Sequence, residues 1–174
     1  MRATVAGLSR DAISGGQEDH LHVQVCQRER PDLVGALSGV RLSGTQVSGA
    51  MYREFRAALS TGLVGVSYGN TFGNAAGLPA EQDGDLLPYL PNYPHVTMAV
   101  VDKADWSATV GYGEVGQVRL TVLHEDLFLP NVCERDQAVR YDTGLQWPCD
   151  GVANVRPLQI TTAAPEGLYQ EVWR

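Results

Sequence analysis

The pattern of residues 39–68 predicts a short strand, a loop, a helix and a second strand, in that order. This order constrains the fold more than any other feature of the sequence. Residues 39–43 alternate in polarity like a strand, and residues 63–66 form an apolar run that predicts a buried one. Between them, an apolar side chain recurs every fourth residue from Met51 to Leu59, as on an amphipathic helix. The pattern predicts a βαβ unit with parallel strands and a right-handed crossover.

The βαβ unit places two loops at one edge of the sheet. Ser48 is the predicted N-cap of the helix and Gly62 its end, so residues 44–46 follow the first strand and the small polar residues of 67–77 follow the second. Because the carboxyl ends of parallel strands share an edge, we expect these loops to be neighbours. Their backbone N–H groups suit a phosphate. An ordinary turn explains the same glycines and asparagines equally well.

The second part of the chain has a different sequence pattern. Residues 78–94 contain four prolines and a glycine, which predict a loop and a subdomain boundary. Short strand patterns punctuated by Gly, Pro and Asp follow at residues 96–102, 117–123, 138–141 and 152–158. We therefore predict an α/β fold with a βαβ parallel-sheet half, residues 1–92, followed by a small antiparallel β-sheet or barrel half, residues 93–174.

Composition excludes several classes of protein. Thirteen Lys and Arg against 20 Asp and Glu give a formal net charge of −7, which argues against a nucleic-acid partner. No apolar run approaches the roughly 18–20 residues of a membrane span, and the N-terminus lacks the apolar core of a secretory signal. The cysteines, Cys26, Cys133 and Cys149, indicate neither a zinc site nor a disulfide framework. We expect a cytoplasmic protein without a nucleic-acid or membrane partner.

Residues 111–116 match the pattern GxGxxG. A dinucleotide-binding fingerprint needs a strand before the glycines and a helix after them, whereas here the following residues alternate as a strand. The pattern predicts a tight hairpin turn.

The ordered set of motifs resembles the adenylate-forming enzymes, which comprise acyl-CoA synthetases, adenylation domains and luciferases. It is closest in character to the phenylacetate–CoA ligase-like branch. The resemblance is carried by residues 39–46, 68–71 (Tyr-Gly-Asn-Thr), 113–116 and 134–136 (Glu-Arg-Asp). It covers about residues 8–160 and corresponds to the rear half of the family's large domain.

The resemblance implies a site for ATP or AMP. The adenine would lie along the glycine-rich turn, the Tyr68 ring would pack on the base, and the Thr71 hydroxyl would contact the α-phosphate. The Asp136 carboxylate would accept the ribose hydroxyls in charge-assisted hydrogen bonds. The implied residues are Gly44, Thr45, Gln46, Tyr68, Gly69, Asn70 and Asp136 for the nucleotide and Thr71 for catalysis. Taken alone, Asp136 could equally be a solvated charge or a partner for Arg135 or Arg140.

The chain also departs from the family pattern. Phe72 stands where the family usually has the Glu that serves a magnesium ion, so Mg²⁺ binding is doubtful and we predict no metal site. The upstream phosphate loop and the C-terminal domain with its catalytic lysine have no counterpart here, where Lys103 is the single lysine. We expect that a further chain or segment, or a homo-oligomer, completes the protein.

Three functional hypotheses remain. In the first, the chain is the nucleotide-binding portion of an acyl- or aryl-carboxylate-activating ligase that forms acyl-AMP for transfer to CoA or a carrier protein. In the second, it is a non-catalytic nucleotide-binding or partner protein derived from that fold. In the third, it is an α/β scaffold without a ligand.

Overall fold

The computed structural model describes residues 28–44, 46–69, 72–79 and 85–158, together with the backbone of residues 14–15. Among these residues, the helices with defined bounds are α1 (Pro31–Gly35) and α2 (Gly49–Ala58), and residues 28–29 are also helical. The strands are β1 (Ser14–Gly15), β2 (Val40–Leu42), β3 (Val64–Gly69), β4 (Asn74–Gly77), β5 (Pro88–Pro91), β6 (Val96–Val101), β7 (Val115–His124), β8 (Leu127–Tyr141) and β9 (Gly151–Pro157). Within these ranges they form one sheet in the order β1-β2-β3-β4-β5-β9-β8-β7-β6. The fold is a mixed α/β fold dominated by strands.

The predicted βαβ unit is present. β2 pairs in parallel with β3, and α2 connects them. The helix begins as predicted, because Ser48 Oγ accepts a hydrogen bond from the Met51 N–H over 3.1 Å. It ends earlier than predicted, at Ala58. Gly62 lies in the following turn with a φ of +63° and donates its N–H to the Leu59 carbonyl.

The small-residue stretch after β3 is a β-hairpin rather than the predicted loop. β3 continues through Gly69, and β4 runs antiparallel to it, with Tyr68 opposite Ala75. The glycine content reflects close packing, since a Cβ at Gly77 would collide with Val66 Cγ2. Glycine at position 77 thus leaves the space that the Val66 side chain on the neighbouring strand occupies.

The prediction that residues 78–94 form a loop is wrong, because β5 lies within them. Proline lacks an N–H donor but keeps its carbonyl, and the Pro88 carbonyl accepts the Leu78 N–H over 2.8 Å. β5 pairs with β4 on one side and with β9 on the other. Hydrogen bonds therefore join strands from both sides of residue 92. The two-half arrangement is not confirmed, and the division at that residue stays a prediction.

The strands after residue 93 form an antiparallel ladder, β9-β8-β7-β6. Alternate side chains of β7, at Val118, Leu120 and Val122, are buried in the core. β6 also approaches β5 and β9, so the sheet curls toward a barrel. The GxGxxG segment forms a tight turn before β7, in which Gly113 has a φ of +81°. No helix in the part of the chain that the structure describes combines the length and apolarity needed to cross a membrane.

Candidate functional site

A pocket of about 360 Å³ opens where the curled sheet brings the end of β3 close to Asp136 of β8. It is lined by the loop after β2 and by residues of β3, β5, β8 and β9. Its lining consists of Gly44, Gln46, Ser67, Tyr68, Gly69, Tyr89, Asp136, Val155, Arg156 and Pro157. The parallel-strand argument predicted that the loop after β2 and the end of β3 would be neighbours, and both line this pocket.

A direct hydrogen bond joins Tyr68 and Asp136 at the pocket. The Tyr68 hydroxyl donates to Asp136 Oδ2 over 3.0 Å. Burial raises the pKa of Tyr68 well above its usual value, and the negative charges of Asp136 and Glu134 raise it further. Tyr68 therefore keeps its proton, and its hydroxyl stays a donor to the carboxylate throughout the physiological pH range.

Tyr89 forms part of the same wall. Its ring meets the Tyr68 ring edge to face, with centroids 6.2 Å apart and planes at 65°. The side chain is 3% exposed, and burial raises the pKa of Tyr89 to about 12. Two neutral aromatic rings thus stand side by side next to a carboxylate.

Arg156 is a lining residue of the pocket, opposite Gln137 in the pairing of β8 and β9. It lies on β9, where Asn154 has a φ of +50° and accepts the Leu87 N–H at its side-chain oxygen. The Arg156 guanidinium donates to the Asn154 carbonyl over 3.1 Å. The pocket therefore offers a carboxylate, aromatic surface and glycine backbone within one concave site, a combination typical of small-molecule sites.

Lys103 has a different location from these pocket groups. Its Nζ donates to Gln137 Oε1 over 2.7 Å. Gln137 follows Asp136 in β8, and successive side chains of a strand point to opposite faces. Lys103 is not among the described residues that line the pocket.

The structure brings together five of the eight residues predicted for the site. The members that line the pocket are Gly44, Gln46, Tyr68, Gly69 and Asp136. Thr45, Asn70 and Thr71 lie outside the described residues. What each residue does stays a prediction.

Sequence reasoning missed Tyr89 and Arg156. Tyr89 lies in the proline-rich segment whose composition predicts a loop. Arg156 lies in a predicted strand, but no local signal tells which face meets the pocket. The prolines that flank Tyr89-Leu90 gave no usable signal, because they favour a loop, although Pro88 and Pro91 are both buried in the structure.

The residues at the expected magnesium position do not fit a divalent cation. Phe72, 46% exposed, has no oxygen to offer. Among the described residues, no group of three or more His, Cys, Asp or Glu side chains could hold a metal ion. The side chain at this position is therefore unsuited to Mg²⁺.

The fold matches segments of solved adenylate-forming enzymes. McyG A-PCP complexed with phenylalanyl-adenylate matches with a TM-score of 0.58 and 14% identity, over 84% of this chain and 30% of that one. The chain therefore shares its fold with a segment of this structure. The ATP-bound RpMatB-BxBclM chimera B3 matches with a TM-score of 0.53 and 15% identity, over 84% of this chain and 31% of that one.

A 2-hydroxyisobutyryl-CoA ligase in an open conformation, in complex with 2-HIB-AMP and CoA, also has this adenylate-forming fold. It matches with a TM-score of 0.57 and 18% identity, over 83% of this chain and 34% of that one. The chain thus spans about a third of the length of these structures. No family model matches, and no curated protein does.

Proposed function

We propose that this chain is the nucleotide-binding portion of an acyl- or aryl-carboxylate-activating ligase and that its pocket takes an adenine nucleotide. One observation carries the proposal. Tyr68 and Asp136, which the family resemblance assigns to the base and the ribose, lie 68 residues apart in the sequence and meet through a hydrogen bond of 3.0 Å. Both line one pocket together with Gly44 and Gln46.

Each group has a role that its chemistry suits. The adenine packs against the Tyr68 ring beside the backbone at Gly44, where no Cβ obstructs its approach. Asp136 accepts the ribose hydroxyls, because a carboxylate can accept several hydrogen bonds at once. Thr71 remains the proposed catalytic donor to the α-phosphate.

The proposed reaction joins a carboxylate to ATP and releases pyrophosphate. The acyl-AMP product then passes to a thiol, which belongs to CoA or to a carrier protein. The bound CoA and acyl-adenylates of the structural neighbours support these ligand classes. A phenylacetate–CoA ligase-like substrate, an aryl or alkyl acid, is the specific form of the proposal. A further chain or segment would supply the phosphate loop and the catalytic lysine.

A second candidate is a non-catalytic nucleotide-binding protein with the same fold. Phe72 favours it, because an apolar ring stands where a catalytic site needs a carboxylate. In that case the ground-state contacts remain while the groups that stabilise charge in the transition state are lost.

Two measurements separate these candidates. Calorimetry with AMP tests the nucleotide pocket, and carboxylate-dependent ATP–pyrophosphate exchange tests catalysis. We expect weak AMP binding by the isolated chain and no exchange. D136A should abolish the binding, whereas D126A, a control at the exposed β7–β8 turn, should retain it.

The outcomes discriminate sharply. Indifference to AMP at millimolar concentration would contradict the nucleotide site. Unchanged affinity in D136A would remove the ribose role from that residue. Exchange by the single chain would favour the ligase over the non-catalytic candidate and would show that no second chain is required.

A further inference from the structure

The Tyr68–Asp136 hydrogen bond joins two strands that are not neighbours in the sheet. Tyr68 lies on β3 and Asp136 on β8, and the order of the sheet puts β4, β5 and β9 between them. Curling of the sheet brings the two strands within reach across the pocket. The bond therefore depends on the orientation of the Tyr68 ring, which a neighbouring side chain must restrain.

Tyr89 is the side chain placed to do so. It lies on β5, between β3 and β8 in the strand order, and its ring edge meets the Tyr68 ring at a centroid distance of 6.2 Å. Edge-to-face contact between aromatic rings is a preferred geometry with a defined orientation. Tyr89 thus limits the positions that the Tyr68 ring can adopt.

Tyr89 is itself held firmly. Its backbone lies between two strands, opposite Gly77 of β4 and Val152 of β9. The packing beneath it is tight, since a Cβ on Gly151 would come within 2.9 Å of the Tyr89 carbonyl oxygen. A buried ring on a strand paired at both sides is a rigid support for its neighbour.

Asp136 is the group that this arrangement orients. Its Oδ2 accepts the hydrogen bond from the Tyr68 hydroxyl. This hydrogen bond engages Oδ2 and restrains the orientation of the carboxylate, which leaves Oδ1 to accept from the ligand. A vicinal diol needs such a fixed acceptor, because two hydroxyls must meet it at the same time.

We propose that Tyr89 is a positioning residue for the diol of the ligand: its ring holds Tyr68 where the hydroxyl reaches Asp136, and Asp136 is thereby fixed to accept a ribose. This inference rests on the proposed function in one respect, namely that the ligand carries a ribose. Tyr89 acts through Tyr68, so its loss should impair recognition of the hydroxyls more than recognition of the base.

The test compares AMP with 2′,3′-dideoxy-AMP, which keeps the base and the phosphate and lacks the diol. In the unaltered chain we expect AMP to bind about tenfold more tightly, the effect of hydrogen bonds to a charged acceptor. In Y89L this preference should fall to near one. Y89F retains the ring and should restore most of it.

A matched control distinguishes positioning from a general loss of stability. Tyr52 is a second buried tyrosine, 5% exposed, on α2, and it does not line the pocket. Y52L should destabilise the chain and leave the preference for AMP unchanged. An equal loss of preference in Y52L and Y89L, or a preserved preference in Y89L, would overturn the positioning role.

A measurement without ligand separates this inference from the proposed function. The proton of the Tyr68 hydroxyl, assigned by its disappearance in Y68F, should exchange slowly with water in the unaltered chain and in Y89F. It should exchange fast in Y89L, as proton NMR can follow. If AMP does not bind but this pattern holds, the nucleotide function fails and the support of Tyr68 by Tyr89 stands. Slow exchange of the Tyr68 hydroxyl proton in Y89L would contradict the support of Tyr68 by Tyr89, whether or not a nucleotide binds.

Discussion

The parallel and antiparallel parts of this sheet are built in different ways. β1, β2 and β3 are short, with two, three and six residues, and β2 and β3 are joined through α2. β7 and β8 are long, with ten and 15 residues, and pair directly as neighbours in sequence. The parallel part ends its strands at one edge, whereas the antiparallel part forms a continuous curled wall.

The pocket uses what each part provides. The parallel part contributes strand ends and glycine backbone, at Gly44 and Gly69, which can approach a ligand closely. The antiparallel part contributes the carboxylate of Asp136, which lies on a strand paired on both sides. β4 and β5 lie between the two, so the geometry of the site depends on the strands that join them. We therefore expect a substitution that destabilises either part to disturb the pocket as well, because β4 and β5 join the two parts.

The largest effect is expected from L120A in the antiparallel part. Leu120 is 1% exposed in the core, and deletion of a buried leucine side chain costs about 3 kcal/mol in the free energy of unfolding, within a range of about 2–5. Urea denaturation should be followed by two probes. Tryptophan fluorescence reports on the part after residue 93, which contains all three tryptophans, Trp106, Trp147 and Trp173. The helical circular dichroism signal reports on the part before that residue, where the described helices lie.

If the sheet unfolds as one unit, tryptophan fluorescence and the helical circular dichroism signal should shift to lower urea together. A shift confined to the fluorescence would instead support two independent subdomains divided near residue 92. V115A, at a partly exposed position in the same strand, should shift neither signal by a comparable amount.

The next effect concerns alkaline pH and the junction strand β5. Burial raises the pKa of Tyr89 from 10.0 to about 12. Its neutral form is favoured in the folded state, so this stability is fully present below pH 10, and it falls as pH rises from 10 toward about 12. The shift corresponds to about 2–3 kcal/mol.

Unfolding free energies should therefore decline above pH 10 in the unaltered chain. Y89F should decline less steeply over the same window, with a remaining slope from Tyr68, whose pKa is also raised. Parallel pH profiles for the two proteins would contradict the burial of the Tyr89 hydroxyl.

A smaller loss is expected from G77A at the other junction strand. A Cβ at Gly77 would collide with Val66 Cγ2 across the β3–β4 hairpin. Such overpacking costs about 1–3 kcal/mol, and it should weaken AMP binding because Tyr68 lies on β3. G35A is the matched control: no atom lies within 4 Å of a Cβ at that helical glycine, so the variant should be neutral or stabilised by up to about 1 kcal/mol. Denaturation of both variants checks the pair.

Local signals predicted the elements that rest on local interactions. The βαβ unit was readable because Phe55 and Leu59 repeat at helical spacing and Ser48 caps the helix. The alternation at Val118 and Leu120 predicted β7. β5 could not be predicted, because its pairing with β9 depends on a partner distant in sequence and its prolines are also signs of loops. The β3–β4 hairpin is local, but its glycines, such as Gly77, are signs of loops as well.

The candidate site shows the same limit. Tyr68 and Asp136 could be assigned to one site through a resemblance in motif order. Their hydrogen bond could not be predicted, because it depends on how far the sheet curls. Tyr89 lies in a segment whose prolines predict a loop, so its place in the pocket could not be predicted. Arg156 follows Asn154, whose positive φ also has no signal in the sequence.

The smallest effect is expected from S48A, which concerns the parallel part alone. Ser48 Oγ accepts the Met51 N–H over 3.1 Å and satisfies a donor that the first turn of α2 leaves unpaired. Loss of an N-cap costs about 1 kcal/mol. S48D keeps an acceptor and adds a negative charge at the positive end of the helix dipole, so it should retain the stability that S48A loses. If one cooperative sheet joins both parts, the fluorescence of the distant tryptophans should report this loss as fully as the helical signal does. A loss seen in the helical signal alone would show that the junction strands do not couple the two parts.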